Sequence, residues 1–412
     1  MLLVKNKKIY FLCILFSFFR ISFASVVDLG VDVFFQEEHI KKLKGKKIAL
    51  LTNHTGINSQ LVPTRQLFQN KKNGIHLSAI FSPEHGINGS CYAGEKVGNK
   101  EAKIPVFSLH GKNKRPTDEM LKNIDVIIFD MQEIGCRSYT YASTLYYIIE
   151  AAAKKKISVI ILDRPNPMGG EMVDGPMLDK KWRSFVGYIN VPYCHGMTIG
   201  ELARYFNEEY HIGCNLCVIS MKGWKRNMSY EDTGLSWVPT SPHIPEANTP
   251  LFCASTGIIG ELGWVSVGIG YTLPFKIVGA PWIDADTFAF HLNKQKLLGV
   301  YFMPFSFRPF YGIYKGKDCY GVKIIVTDKT SYRPMAVQYL LLGILKSLYP
   351  KEIARRLENM TNQKKKMFCQ VNGNSEILDC LLKEKYIAWK LIQFQEEERN
   401  LFLEKRKKYL LY

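Results

Sequence analysis

Between residues 47 and 163 the chain repeats one pattern: a short, almost unbroken apolar run, then a stretch with apolar residues every third or fourth position. The runs at 47–52, 76–81, 105–109, 125–130 and 158–163 have strand length and little polar alternation, which predicts strands buried on both faces. The stretches between them predict helices at 62–71, 117–123 and 140–155, after an opening amphipathic helix at 31–44. Thr117-Asp118-Glu119-Met120 reads as an N-terminal cap, and Lys154-Lys155-Lys156 puts cations at a helix carboxyl end. Strands alternating with helices predict a parallel sheet covered on both sides. After Asn166 the rhythm breaks. Proline, glycine and aromatic residues dominate 165–193, a helix is expected at 198–209 and a strand at 215–221, and a turn-rich stretch runs from Trp224 through Pro281. Strands then follow near 300–303 and 320–327, helices at 334–348 and 375–383, and a closing amphipathic helix at 386–407. The expected fold is α/β: a Rossmann-like parallel sheet flanked by helices over 25–214, then a smaller α+β domain over 215–412 that closes a cleft above the strand tips.

Four of the strands end in residues that carry chemistry. They are Thr52-Asn53-His54-Thr55, Ser82-Pro83-Glu84-His85-Gly86, Asp130-Met131-Gln132-Glu133 and Asp163-Arg164-Pro165-Asn166. Ligands of open α/β sheets bind just beyond such carboxyl ends. Glu84 is the leading catalytic candidate, because Pro83 fixes its backbone and Gly86 permits a tight turn. A carboxyl that donates a proton at neutral pH needs a raised pKa, and Phe81, Ile87 and Tyr92 are the apolar surroundings expected to raise it. The plainer reading has Glu84 capping the next helix or pairing with Arg137. Asp130, with Glu133 nearby, is the candidate second carboxylate, as glycoside hydrolysis commonly uses two. Arg137 and Arg164 offer a bidentate fork to a planar anion, although Arg164 pairing with Asp130 or Asp163 has similar weight. Asn53, His54, His85, Gln132, Asn166 and His195 are expected to hydrogen-bond a sugar, with Tyr139 stacking on it. His54, His85 and Asp130 would alternatively make a two-histidine, one-carboxylate metal set.

Several cofactor classes have no signature here. No glycine-rich dinucleotide turn follows the first strand, and Gly268-Ile269-Gly270 stands in the wrong context. There is no phosphate-binding loop and no G-x-S-x-G elbow, so no cofactor is expected. At 412 residues and 47% hydrophobic the chain can bury a large core. Its first two dozen residues are of another kind. Lys5, Lys7 and Lys8 precede the apolar stretch 9–19 and the exit Ser22-Phe23-Ala24, the pattern of a signal peptide over 1–24. That apolar part is shorter than the roughly 20 residues of a membrane span, so no stable membrane insertion is expected after cleavage. The protein is therefore expected to be exported, periplasmic or extracellular. The net charge of +18 is spread over lysine runs without a nucleic-acid-binding signature, which suits an acidic wall polymer better than nucleic acid. Cys214 and Cys217 have zinc-like spacing but no second pair to complete a site.

Long stretches of this chain are similar to one family. They include LLTNHTGI (50–57), FSPEHGINGSCYAGE (81–95), IDVIIFDMQEIGCRSYTYASTL (124–145), ILDRPNPMGG (161–170), GPMLD (175–179), HGMTIGELARYFNEE (195–209), GAPWID (279–284) and RKKYLLY (406–412). The chain resembles the NamZ family of exo-β-N-acetylmuramidases over essentially all of its length beyond the leader. The resemblance implies a Rossmann-like first half, a smaller second half and an active site in the cleft between them. It also implies release of N-acetylmuramic acid from the non-reducing ends of peptidoglycan fragments or muropeptides, with Glu84 standing at the family's proposed catalytic glutamate. One stretch departs from the pattern. Val267, Ile269 and Leu273 stand where the family usually shows a glutamate and two arginines, and Glu261, several positions earlier, is not counted as a replacement. Two rivals follow: a catalytically silent muropeptide-binding envelope protein, or a metal-dependent hydrolase.

Overall fold

The computed structural model describes residues 27–37, 39–70, 74–99 and 103–412; the leader read at 1–24 lies outside them. Six parallel strands form the first sheet: β1 (Lys47–Thr52), β2 (His76–Ser82), β3 (Val106–Ser108), β4 (Val126–Asp130), β5 (Ser158–Leu162) and β6 (Leu216–Ile219). Their order is β3-β2-β1-β4-β5-β6. The period-two geometry of a strand sorts its side chains onto two faces. Ile48, Leu50, Ile80 and Ile128 pack with Phe34 and Phe68 of α1 (Gly30–Gln36) and α2 (Thr64–Gln69). Ala49, Leu51, Phe81 and Phe129 pack with Leu145, Ile149, Leu202 and Phe206 of α3 (Thr140–Lys155) and α4 (Ile199–Glu209). Both faces are covered, which is why the strands read as continuous apolar runs.

The second core is built on an antiparallel sheet of order β7-β9-β8, from β7 (Ile277–Ala280), β8 (Val300–Phe307) and β9 (Cys319–Val326). Around it lie α5 (Thr249–Leu262), α6 (Ala285–Lys294) and α7 (Pro334–Leu348), then α8 (Pro350–Glu358), α9 (Asn362–Asn372), α10 (Glu376–Lys383), α11 (Ala388–Ile392) and α12 (Glu396–Arg406). α7 is buried along most of its length and is the spine of this half. Among the described residues no helix is long and apolar enough to cross a membrane.

Several elements differ from the sequence reading. The expected helix at 117–123 is a set of turns, with Leu121 N bonded to Thr117 O. The expected helix at 31–44 stops at Gln36. The closing helix is two, α11 and α12, broken where Gln395 takes φ 55°. The turn-rich stretch conceals α5, whose Gly257 and Gly260 lower its helix propensity. Gly260 is there for packing: a Cβ on it would lie 2.9 Å from Val267. The parallel sheet runs on through Ile219, past 214. Cys214 and Cys217 are both free, one buried before β6 and one exposed within it.

The chain ends by returning to the first sheet, where Phe402 and Tyr409 enter the core of α3 and α4. Tyr412 donates to Asp163 at 2.8 Å and accepts from Met221 N at 2.8 Å. Burial pushes Asp163 up to about 6 against the hydrogen bonds from Thr198, Gly200 and Tyr412. Tyr412→Phe leaves the Met221 amide without its acceptor and removes one donor from Asp163. It is expected to lower the unfolding free energy by about 1–3 kcal/mol, read as a lower urea midpoint at unchanged slope.

Candidate active site

A cleft of about 420 Å³ opens between the tip of β2, the start of α3 and the inner face of α5. Glu84, His85 and Thr140 reach it from the first half, and His243, Glu261 and Phe275 from beyond the first sheet. The turn that presents Glu84 is tightly specified. Pro83 O accepts from Gly86 N at 3.1 Å, and His85 and Gly86 take φ of 67° and 74°. A left-handed conformation costs a non-glycine residue roughly 1–2 kcal/mol, so the surrounding loop enforces His85's position. That loop also accepts the His85 Nδ1 proton on Cys91 O at 2.7 Å, which leaves Nε2 free of this bond.

The Glu84 carboxyl is held at both oxygens. Thr140 Oγ1 donates to Oε2 at 2.5 Å, Gly94 N donates to Oε1 at 2.8 Å, and His110 Nε2 lies 3.5 Å from Oε1. Burial pushes this carboxyl up, but the two hydrogen bonds and the imidazoles of His110 and His85 outweigh it. The net pKa lies below the ordinary glutamate value, which corrects the expectation of an acid raised by apolar neighbours. Tyr92, one of those neighbours, is in fact exposed. Glu84 does not pair with Arg137.

The sequence reading missed three members of this site. His110 follows β3 and is lowered by burial, with Glu84 acting against that; it obeys the strand-tip rule, but a three-residue edge strand is a weak signal. Glu261 and His243 fell in the stretch read as turns. Glu261 is exposed at the mouth of the cleft, yet protein packs closely enough around its carboxyl to raise the pKa, with Lys364 opposing. Glu261, not Asp130, is the second carboxylate facing this space.

Most of the other expected ligand groups are turned inward. Asp130 is wholly buried; it accepts from Arg164 Nε at 2.6 Å and from the Thr64 hydroxyl. Arg164 also donates to Ile57 O at 2.6 Å. Arg137 donates to the carbonyls of Pro176, Val191, Val371 and Asn372, leaving no fork for a substrate anion. Gln132 donates to Pro165 O, and Asn166 spans Met197 O and Met168 N. Asn53 accepts from Thr55 N and Oγ1. His54 donates to Pro239 O at 2.6 Å, its ring hard against Gly89. His195 is buried and held down at about 3 by burial, with Arg406 and Arg137 nearby. Only Glu84, His85 and Tyr139 of the expected set line the cleft. Because Asp130 is committed to Arg164 and Thr64, the set His54, His85 and Asp130 does not assemble as a metal site.

Two family profiles cover this architecture. The N-terminal profile of exo-β-N-acetylmuramidase NamZ matches residues 48–248, and its C-terminal profile matches 251–412. The chain belongs to the NamZ exo-β-N-acetylmuramidase family. It is 38% identical over 389 residues to the peptidoglycan β-N-acetylmuramidase NamZ of Bacillus subtilis, covering 94% of this chain and 91% of that protein. Two crystal structures of DUF1343 family proteins from Bacteroides fragilis share the fold. One superposes with a TM-score of 0.87 at 36% identity, over 94% of this chain and all of the other. The second gives 0.74 at 27% identity, over 94% and 99%. The stretch that departs from the NamZ pattern folds inward here. Val265 and Val267 are buried, Ser266 pairs with Gly279, and Phe275 lines the cleft.

Asp130→Asn tests the structural assignment. It leaves the Arg164 guanidinium buried without its counter-ion, and the expected outcome is a loss of about 3–5 kcal/mol in unfolding free energy. Chemical denaturation checks it; an unchanged midpoint would return Asp130 to the list of functional candidates.

Proposed function

We propose that this protein is an exo-acting glycoside hydrolase that releases N-acetylmuramic acid, or a closely related amino sugar, from the non-reducing ends of peptidoglycan fragments. The observation that carries this reading is the Glu84 carboxyl, anchored by Thr140 and Gly94 and beside His110, in a cleft that Glu261 also lines. The cleft volume falls in the range of small-ligand pockets. Membership of the family supports the substrate class.

In the proposed reaction Glu84 gives its proton to the glycosidic oxygen as the bond from that oxygen to the anomeric carbon breaks. Positive charge on the sugar ring is met by Glu261 or by the substrate's own acetamido oxygen. A water then adds at the anomeric carbon and returns a proton to Glu84. In the empty cleft Glu84 is largely ionised near neutrality. A bound sugar expels water and strengthens the burial effect that already opposes the hydrogen bonds, so the proton is taken up on binding. A muramic lactyl carboxylate in the cleft would act in the same direction. The export signal read at 1–24 would carry the enzyme to its wall substrate, outside the cytoplasm.

Glu84→Gln keeps acceptor and shape for Thr140 while removing the transferable proton. Release of muramic acid from defined wall disaccharides, followed by mass spectrometry, is expected to fall about 10²–10⁴-fold. Near-native turnover would remove Glu84 from the role, and binding without any product from the wild-type protein would favour a silent binding protein.

The pH profile gives a second test. Because kcat/KM reports the free enzyme, a proton donor with a lowered pKa makes kcat/KM fall about tenfold per unit above that pKa. Thr140→Val removes a hydrogen bond that favours the ionised form, so the falling limb should move to higher pH. A profile flat from about pH 5 to 8, unmoved by Thr140→Val, would take proton donation away from Glu84.

A further inference from the structure

The mouth of the cleft carries an aromatic shelf that the reaction at Glu84 does not use. His243, which lines the cleft, neighbours two exposed tyrosines. The Tyr92 ring centre lies 6.3 Å from that of His243 with planes 26° apart, and that of Tyr311 lies 6.4 Å away at 29°. The Tyr311 hydroxyl also meets His243 Nε2 at 2.8 Å. Phe310 continues the row beside Tyr311 at 6.4 Å, and Tyr271 lies 5.9 Å beyond it. Tyr92 and Phe310 are each 56% exposed and Tyr311 43%. The rings come from four separate segments: the loop after β2, the stretch before α5, the α5–β7 connection and the β8–β9 connection. That connection is fastened by Phe310 N donating to Gly270 O at 2.8 Å. Gly270, at φ 88°, has no room for a side chain, because a Cβ would lie 2.0 Å from the Tyr311 carbonyl oxygen. Phe310 and Tyr311 are therefore positioned by backbone contacts, and much of the Tyr92, Phe310 and Tyr311 rings remains open to solvent. Contiguous exposed rings running out of a cleft mark a ligand groove more often than a neutral surface.

We propose that Tyr92, His243 and Tyr311 form the leaving-side subsite, where the sugar after the scissile bond stacks, and that Phe310 carries the next sugar of the chain. This rests on the glycosidase reading above. A pyranose presents an apolar C–H face and a polar rim, which suits rings with a flat face and a hydroxyl or imidazole nitrogen at the edge. An enzyme that removes terminal units needs its cleft closed around one sugar and an open track for the remainder, and the shelf is continuous with the cleft through His243.

The test compares a muramic methyl glycoside with a muramic-acid-terminated disaccharide and tetrasaccharide. Tyr311→Ala should lower kcat/KM about three- to tenfold more on the disaccharide than on the methyl glycoside, while Tyr311→Phe, which keeps the ring, should preserve the wild-type ratio. Phe310→Ala should show its loss on the tetrasaccharide alone. Equal losses on all three substrates, or none on any, would overturn the subsite. A wild-type protein that cleaves none of them would instead bring down the glycosidase reading, and the subsite with it.

Discussion

The Arg137 guanidinium, clasped by four carbonyl groups, holds the two halves of the protein in register. Two of its acceptors, Pro176 and Val191, belong to the first half, and two, Val371 and Asn372, end α9 in the second. Gly373 leaves the room for it, since a Cβ there would lie 2.5 Å from Nη2. Burial lowers this guanidinium only to about 10, so it remains a cation with no carboxylate partner, neutralised by carbonyl dipoles. Removing a charged donor from so many buried acceptors is among the costliest single changes available to a fold. Arg137 also precedes Ser138, Tyr139 and Thr140, three consecutive residues that line the cleft. One side chain thus sets both the spacing of the halves and the position of the hydroxyl that anchors Glu84.

The same economy governs the strand tips. Open sheets of this order are expected to bind ligands where the strand order reverses, between β1 and β4. Here that crevice is filled by the ion pair of Asp130 and Arg164, with Thr64 and Ile57 completing its hydrogen bonds. The usable cavity moves one strand outward, to β2, where the second half supplies the opposite wall. Glu84 and Glu261 meet opposing environments there, one lowered by hydrogen bonds and imidazoles that outweigh its burial, the other raised by burial. In the unliganded cleft Glu261 is therefore the readier of the two to hold a proton, and the role proposed for Glu84 depends on the upward shift that a bound sugar brings.

The apolar stretch from 264 to 275 gains a meaning from this geometry. Its buried valines back α5, its Phe275 lines the cleft, and its Gly270 carbonyl anchors the aromatic shelf. Residues 406–412 have a comparable part near β5. Arg406 donates to the carbonyls of Gly170, His195 and Gly196, and Tyr412 closes over Asp163. These contacts give Arg406 and Tyr412 structural roles without invoking the substrate.

Local pattern alone determined the parallel sheet, because strands buried on both faces leave continuous apolar runs between amphipathic helices. It also singled out Glu84 as a residue of the cleft, since a carboxylate in a tight turn at a strand's carboxyl end lies where an open sheet gathers its loops. The remaining site depended on tertiary structure. Whether Asp130 and Arg164 face a ligand or each other is a matter of which partner lies within hydrogen-bond reach, and spacing along the chain carries no such distance. The sign of the Glu84 pKa shift depended on Thr140 and Gly94, 56 and 10 residues away in sequence. Glu261 and His243 became visible as site residues only when α5 folded across the cleft, because glycine-rich apolar sequence resembles turns until packing selects the helix.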